Sequence, residues 1–210
     1  LAATEAWWEP GTRHTYHTNT FGHLVGETIR LASGETVSER LRALAEPLGA
    51  DVHFGLSPEE QARCAEVLWA PSNPLAPPDF DSLDGDVLMN ALAHLNPPGY
   101  SSMGVVNTPE WRAACVPSTN GHGSANGLAR IYAALVEPGR LLSPELLGHA
   151  THARSSGFCT ILGEELDWGL GFTPTTPRRP FGTNPDSFGH FGTGGSLGFG
   201  DPTAKLGFGY

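Results

Sequence analysis

Basic residues are scarce in this sequence. Twelve lysines and arginines stand against 22 aspartates and glutamates, the net charge is -10, and lysine occurs once, at Lys205. With no basic cluster, the chain lacks the electrostatic footprint for nucleic acid or an anionic membrane surface. Long apolar runs are missing as well; none approaches the roughly 20 residues that span a bilayer. Cysteine occurs at three widely spaced positions, Cys64, Cys115 and Cys159. An odd, scattered set indicates neither a disulfide framework nor a CxxC zinc site. The three are read as buried, reduced thiols, which favours the cytoplasm. There is no GxSxG elbow, no P-loop and no dinucleotide fingerprint, so no cofactor is indicated. His14, His17 and His23 follow no common zinc spacing and no thiol or acid cluster joins them, so no metal is expected either.

What remains is a chain built to fold as one unit. Its 210 residues suffice for a single domain, residues 1–210, that buries roughly 70% of its unfolded surface. The 27 glycines and 18 prolines make up about a fifth of the chain, below the roughly 25–30% that signals disorder. Much ordered loop is expected. Helical spacing of Phe21, Leu24, Val25, Thr28, Ile29 and Ala32 predicts a helix from Thr20 to the Ser33-Gly34 pair. Thr36 to Glu39 reads as a capping box. Ser57-Pro58-Glu59-Glu60, Thr108-Pro109-Glu110 and Ser143-Pro144-Glu145 each read as a helix start with proline at the first position. A short strand is expected over Val52 to Leu56, a proline-rich loop over Ala70 to Phe80, and a helix over Asp81 to His94 that Asn96-Pro97-Pro98-Gly99 closes. Ser124 caps a helix that turns Leu128, Ile131, Tyr132 and Leu135 inward. Asp167 to Phe172 (DWGLGF) reads as a strand. Helices dominate the middle and strands cluster late, a pattern that predicts α+β, with helices on an antiparallel sheet.

The glycine-rich stretch from Phe188 to Tyr210, FGHFGTGGSLGFGDPTAKLGFGY, concentrates the strands. Leu197 and Phe199 precede Asp201-Pro202, and Leu206, Phe208 and Tyr210 follow Lys205. This reads as two strands joined by a polar turn, each with one apolar face. Upstream, His190-Phe191-Gly192-Thr193 is expected to continue as a strand with little side-chain cover. Glycine weakens a sheet, and here it marks either tight packing or a place where another backbone or a ligand approaches. At the other end, Tyr16 lies in a polar loop before a helix N-terminus. That setting favours negative charge and would let its phenol ionise more easily than usual; a tyrosine that merely packs its ring is the bland alternative.

Together these pieces carry a resemblance. A Tyr-x-x triplet before a helix, a PxxNGxGxA loop-helix, a WGLGF segment and an FGHxGxGGSLGFxDP hairpin follow one another in this order. The chain resembles, from Trp7 through Tyr210, the serine β-lactamase-like family: class C β-lactamases, DD-peptidases and related esterases, the esterase branch above all. The resemblance implies that Tyr16, with His17 and Thr18, is the YxN-type motif and that His190-Phe191-Gly192 takes the place of KTG. It implies that Tyr16 and His190 are catalytic, that Gly192 and Thr193 form the oxyanion strand, and that Thr193 contributes its N–H. His17, Thr18, Asn120, His122 and Phe191 would then line the substrate cleft. Glycines 192, 194 and 195 would make room for the acyl group.

The departures from the family pattern shape the expected chemistry. The family's nucleophile and base sit in an SxxK motif upstream of the tyrosine, and no such motif occurs here; it would precede Leu1. The family's closing helix is missing too, so the chain reads as a fragment, inactive alone and exposing apolar surface. Thr18 in place of asparagine removes an amide, and Phe191 in place of a small polar residue narrows the groove. Both changes favour small-molecule esters over β-lactams. The expected function is thus a serine hydrolase, a carboxylesterase, acting through an acyl-enzyme. The rival readings are β-lactam or D-peptide hydrolysis on the same fold, and a binding homologue without catalysis.

Overall fold

The computed structural model describes residues 1–70, 78–95, 97, 100–101 and 104–210. The first half is helical: α1 (Thr20–Ser33), α2 (Val37–Ala45), a two-residue β1 (Val52–His53), α3 (Pro58–Gln61), α4 (Gly85–Leu95) and α5 (Pro109–Ala113). A second short strand, β2 (His122–Gly123), pairs with β1, and α6 (Ala125–Val136) and α7 (Pro144–Thr151) follow. A hairpin comes next, of β3 (Ser155–Cys159) and β4 (Glu164–Trp168). The last strands are β5 (Thr173–Pro174), β6 (Phe188–Phe191), β7 (Leu197–Asp201) and β8 (Leu206–Gly209), an antiparallel sheet in that order. The α+β expectation holds.

Local chemistry sets most helix starts where the sequence places them. Thr36 and Glu39 form a reciprocal capping box, as do Ser57 and Glu60. Ser124 caps α6 and Ser143 caps α7 through their hydroxyls. Helix α1 forms as expected, with Ile29 half-buried but Phe21 48% and Leu24 49% exposed. The expected strand from Val52 to Leu56 shrinks to two residues, because its one ladder partner among the described residues is the short β2. The expected helix from Asp81 begins instead as a 3-10 turn at Phe80–Ser82, and the α-helix starts at Gly85. The WGLGF strand ends at Trp168: Gly169 donates to the Phe172 carbonyl and Leu170 to the Ala150 carbonyl, which bends the chain away from the ladder. Most of the proline-rich loop (71–77) and of the Asn96–Gly99 stop lies outside the described residues.

The C-terminal sheet is held against α6 by glycine. In the β7–β8 register Gly198 faces Gly209 and Gly200 faces Gly207, giving two cross-strand glycine pairs on one face. A methyl group built on Gly207 would strike Ala133 N and Ala129 O of α6. One on Gly200 would come within 2.7 Å of Val136, and one on Gly198 would run into Tyr132. The helix backbone therefore lies almost directly on the strands. Around this contact Tyr132, Val136 and Phe188 form one core cluster, bordered by Leu128, Leu135, Leu147 and Phe172. Of the residues expected inward, Tyr132 is buried and Leu128 and Leu135 pack on it. A second cluster of Cys159, Ile161 and Leu166 sits under the β3–β4 hairpin, with Tyr16, Trp168 and Met89 packed against it.

This packing makes a sharp prediction. Gly207→Ala should lower unfolding stability by about 1–3 kcal/mol, as overpacking does. Gly148→Ala in α7, where an added methyl meets nothing within 4 Å, should raise it by about 0.5–1 kcal/mol. Urea denaturation of both variants measures the pair; an unchanged midpoint for Gly207→Ala would rule out the close approach of α6.

Candidate active site

Tyr16 and His190, 174 residues apart in the chain, meet through a third ring. Trp168 stacks on Tyr16 with centroids 5.5 Å apart at 17°, and lies 5.5 Å from His190 at 38°. Tyr16 and His190 themselves are 6.1 Å apart, centroid to centroid. The backbone of the tyrosine loop is tied to the same hairpin that carries Trp168. Cys159 Sγ, fully buried at the end of β3, accepts the Tyr16 N–H at 3.2 Å, and Thr15 Oγ1 lies 3.5 Å from it. His14 Nδ1 meets Ser155 Oγ at 2.5 Å, on the residue paired with Trp168 across the hairpin. Behind the loop, Asn19 accepts from Thr119 Oγ1 at 2.8 Å, and Gly22 N–H donates to Ser118 Oγ at 2.6 Å. The 117–120 loop thus braces the start of α1.

The electrostatics run against the expectation for Tyr16. Burial pushes its phenol above the ordinary tyrosine value, and the Cys159 thiol adds to the rise. The N-terminus of α1 begins only at Thr20, and the ring turns onto Trp168 rather than toward that helix end. His190 is shifted the other way. Burial lowers its pKa, the Phe191 carbonyl works against that, and the Arg179 charge adds to the lowering. Its Nδ1 lies 2.6 Å from the Phe191 carbonyl and donates to it. That bond fixes the tautomer and leaves Nε2 with a free lone pair.

The remaining site candidates divide. His17 is exposed, with Nδ1 3.0 Å from Thr20 Oγ1. Thr18 has a buried hydroxyl with no partner among the described residues. Gly192 and Thr193 fall in the β6–β7 turn, since the strand ends at Phe191. Gly192 N–H donates to the Ser196 carbonyl at 2.7 Å, whereas Thr193 N–H makes no backbone bond among the described residues. Gly194 and Gly195 adopt φ of 88° and 102°. Glycine takes these backbone angles without strain, which suits the turn.

Three of the residues expected in the cleft make other contacts in this structure. Asn120 is buried with its amide committed to its own loop: it accepts from Val116 N–H at 2.7 Å and donates to the carbonyls of Trp111 and Ala114 at 2.9 and 2.6 Å. His122 donates to the Asn120 carbonyl at 2.7 Å, packs edge-on to Trp111 and lies opposite His53 across β1–β2. None of these contacts reaches the Tyr16–Trp168–His190 rings. Phe191 follows His190 on a strand, so it points to the opposite face. There it stacks on Phe181 at 4.6 Å under the Arg179 guanidinium, 4.9 Å from the ring. Arg179 in turn forms a fork with Glu164 on β4.

Trp168, Cys159 and Arg179 were not expected here from the sequence. Only Trp168 left a sign, as a large ring beside a glycine pair. No group of three or more metal-type ligands occurs among the described residues, and the histidines His14, His17 and His23 each meet a different partner.

With this arrangement in place, the class follows: the chain belongs to the Beta-lactamase family, whose model it matches over residues 1–210. This is a family of serine hydrolases on the β-lactamase fold, with esterases among its members. The esterase/beta-lactamase LipL of Mycobacterium tuberculosis is 32% identical across 93% of this chain and 47% of its own length. A penicillin-binding protein homologue from Caulobacter crescentus superposes with a TM-score of 0.84 at 33% identity, over all of this chain and 55% of that one. A family VIII carboxylesterase superposes equally well, TM-score 0.84 at 34% identity, over 99% of this chain and 55% of its own. The chain spans about half the length of the relatives it matches. No helix among the described residues is long and apolar enough to cross a membrane.

Titration tests the ring environment directly. Followed by phenolate absorbance, Tyr16, Tyr100 and Tyr132 should ionise above the ordinary phenol range, Tyr132 near 12. Each folded pKa lies above its unfolded value. The neutral phenols therefore favour the fold fully below about pH 10, and that contribution disappears as pH rises through the folded values. Tyr16→Phe should delete one raised midpoint; the loss of an unshifted one instead would overturn the buried-ring geometry.

Proposed function

We propose that the whole protein is a carboxylesterase that works through an acyl-enzyme. The observation that carries this reading is the convergence of Tyr16 and His190 on one ring stack, beside a turn whose Thr193 N–H is unclaimed by the backbone among the described residues. A serine supplied by the rest of the protein attacks the ester carbonyl. Tyr16 takes the hydroxyl proton and returns it to the leaving alcohol. Thr193 N–H and the amide of the nucleophile steady the tetrahedral oxyanion, and each such donor is worth about 3 kcal/mol. Water then repeats the cycle and frees the acid.

The proton role sets a condition. Burial and Cys159 both raise the Tyr16 pKa, so the phenol needs a cation beside it before it accepts a proton near neutrality. The lysine of the family's SxxK motif supplies that charge in this reading. His190, held as the Nδ1–H tautomer, offers Nε2 to the Tyr16 hydroxyl or to the substrate. It remains neutral below the ordinary histidine range, so the rate should fall only as pH drops through that lowered value.

The decisive assay compares short-chain p-nitrophenyl esters with nitrocefin in the full-length protein. Ester turnover is expected to dominate, and Tyr16→Phe should reduce it by about 10²–10⁴-fold, the usual weight of a positioned proton carrier. Full activity in Tyr16→Phe would remove Tyr16 from the mechanism. Nitrocefin turnover above ester turnover would favour the β-lactam reading, which the double name of the M. tuberculosis relative keeps in view. No turnover of either would favour a binding homologue.

A further inference from the structure

We infer that Trp168 is a positioning residue that holds Tyr16 and His190 in register, an assignment that rests on the esterase reading for its kinetic part alone. The two rings have no hydrogen bond to each other; each instead lies 5.5 Å from the indole, Tyr16 in a near-parallel stack and His190 tilted by 38°. The indole is therefore the shared surface against which both are set. Offset stacking prefers particular distances and angles, so a flat ring fixes the Tyr16 plane where an aliphatic side chain of similar bulk would not.

The hairpin that carries Trp168 is itself referenced to both sides of the site. On the tyrosine side, Cys159 Sγ accepts the Tyr16 N–H at 3.2 Å and Ser155 Oγ meets His14 at 2.5 Å. On the histidine side, Glu164 holds Arg179, whose guanidinium covers Phe191, the neighbour of His190. A shift of the hairpin would carry the loop and the strand with it, while Trp168 keeps their rings a fixed distance apart. One further fact favours the face of the indole over its edge. The Trp168 Nε1–H is buried and has no partner among the described residues. Among the described residues the indole thus meets Tyr16 and His190 through its ring, without a hydrogen bond.

The groups facing Tyr16 and His190 define what would be measured. Tyr16 faces Trp168, Cys159 and His190; His190 faces Trp168, the Phe191 carbonyl and the Arg179 charge. Removal of the indole opens the phenol to water without touching any of its hydrogen-bond partners. The Tyr16 ionisation should then move down toward the ordinary tyrosine value, a change that is independent of any esterase activity.

The test uses the full-length protein and four variants: Trp168→Ala, Trp168→Leu, Trp168→Phe and, as the reference for the phenol signal, Tyr16→Phe. With p-nitrophenyl butyrate, Trp168→Ala and Trp168→Leu should lower kcat by about 10²-fold, the scale of an ångström-size misplacement, with KM changed less than about threefold. Trp168→Phe, which keeps a flat ring, should retain kcat within about threefold. The Tyr16 phenolate midpoint should fall in the Ala and Leu variants and stay high in the Phe variant. If Trp168→Ala does not fold, Trp168→Leu carries the comparison. The inference is overturned if the Ala or Leu variant keeps kcat with an unmoved Tyr16 midpoint, if the loss lies in KM alone, or if Trp168→Phe is as impaired as Trp168→Leu. An unmodified protein that hydrolyses no ester would refute the esterase reading, and the Tyr16 midpoints would still decide the role of Trp168.

Discussion

The close approach of α6 to the glycine face of the C-terminal sheet is the constraint on which the described structure depends. Two cross-strand glycine pairs, Gly198 with Gly209 and Gly200 with Gly207, remove every side chain from that part of the sheet. The helix then sits with its own backbone at van der Waals distance, and Tyr132, Val136 and Phe188 close the core beside it. This fixes β7 and β8, and through the ladder it fixes β6. By the register, His190 lies on the same face, near the end of β6. Dense packing has little tolerance for displacement, so the position of the histidine follows from the glycine strand it pairs with, where His190 lies opposite Gly198.

The tyrosine half is placed by a different device. Tyr16 belongs to an extended loop, which cannot hold a ring by ladder bonds. It is held from two directions: its backbone by Cys159 and its ring by Trp168, at the two ends of the β3–β4 hairpin. Asn19 and Gly22 tie the following turn to the 117–120 loop. Asn120, expected in the cleft, organises that loop instead, with its amide turned inward onto three backbone groups. A buried amide so fully satisfied is worth more as a loop brace than as a donor to substrate.

Charge and burial then give the two catalytic candidates opposite leanings. The phenol is driven toward its neutral form because burial penalises the phenolate; the imidazole is driven toward its neutral form because burial penalises the cation. Two neutral groups beside one another can exchange a hydrogen bond without repulsion, yet neither is a strong base near neutrality. In the mechanism proposed above, the positive charge comes from a lysine elsewhere in the whole protein.

Much of the architecture was legible because it is local. The capping boxes at Thr36–Glu39 and Ser57–Glu60, and the serine caps at Ser124 and Ser143, are decided within four residues, and they start helices where the sequence places them. The terminal hairpin was legible as two strands and a polar turn, but the approach of the α6 backbone to its glycines was not. Tyr16 and His190 were named from the family motifs, and the structure brings them together. What the sequence could not decide depends on contacts between distant segments. The end of the WGLGF strand is set by the Ala150 carbonyl, the inward turn of Asn120 by the carbonyls around it, and the face of Phe191 by where β6 stops. The role of Trp168 arises only when residue 16 and residue 190 reach the same hairpin. A residue's type and neighbours are written in the chain, but which ring it stacks on is a property of three segments folded together, and only the tertiary structure decides it.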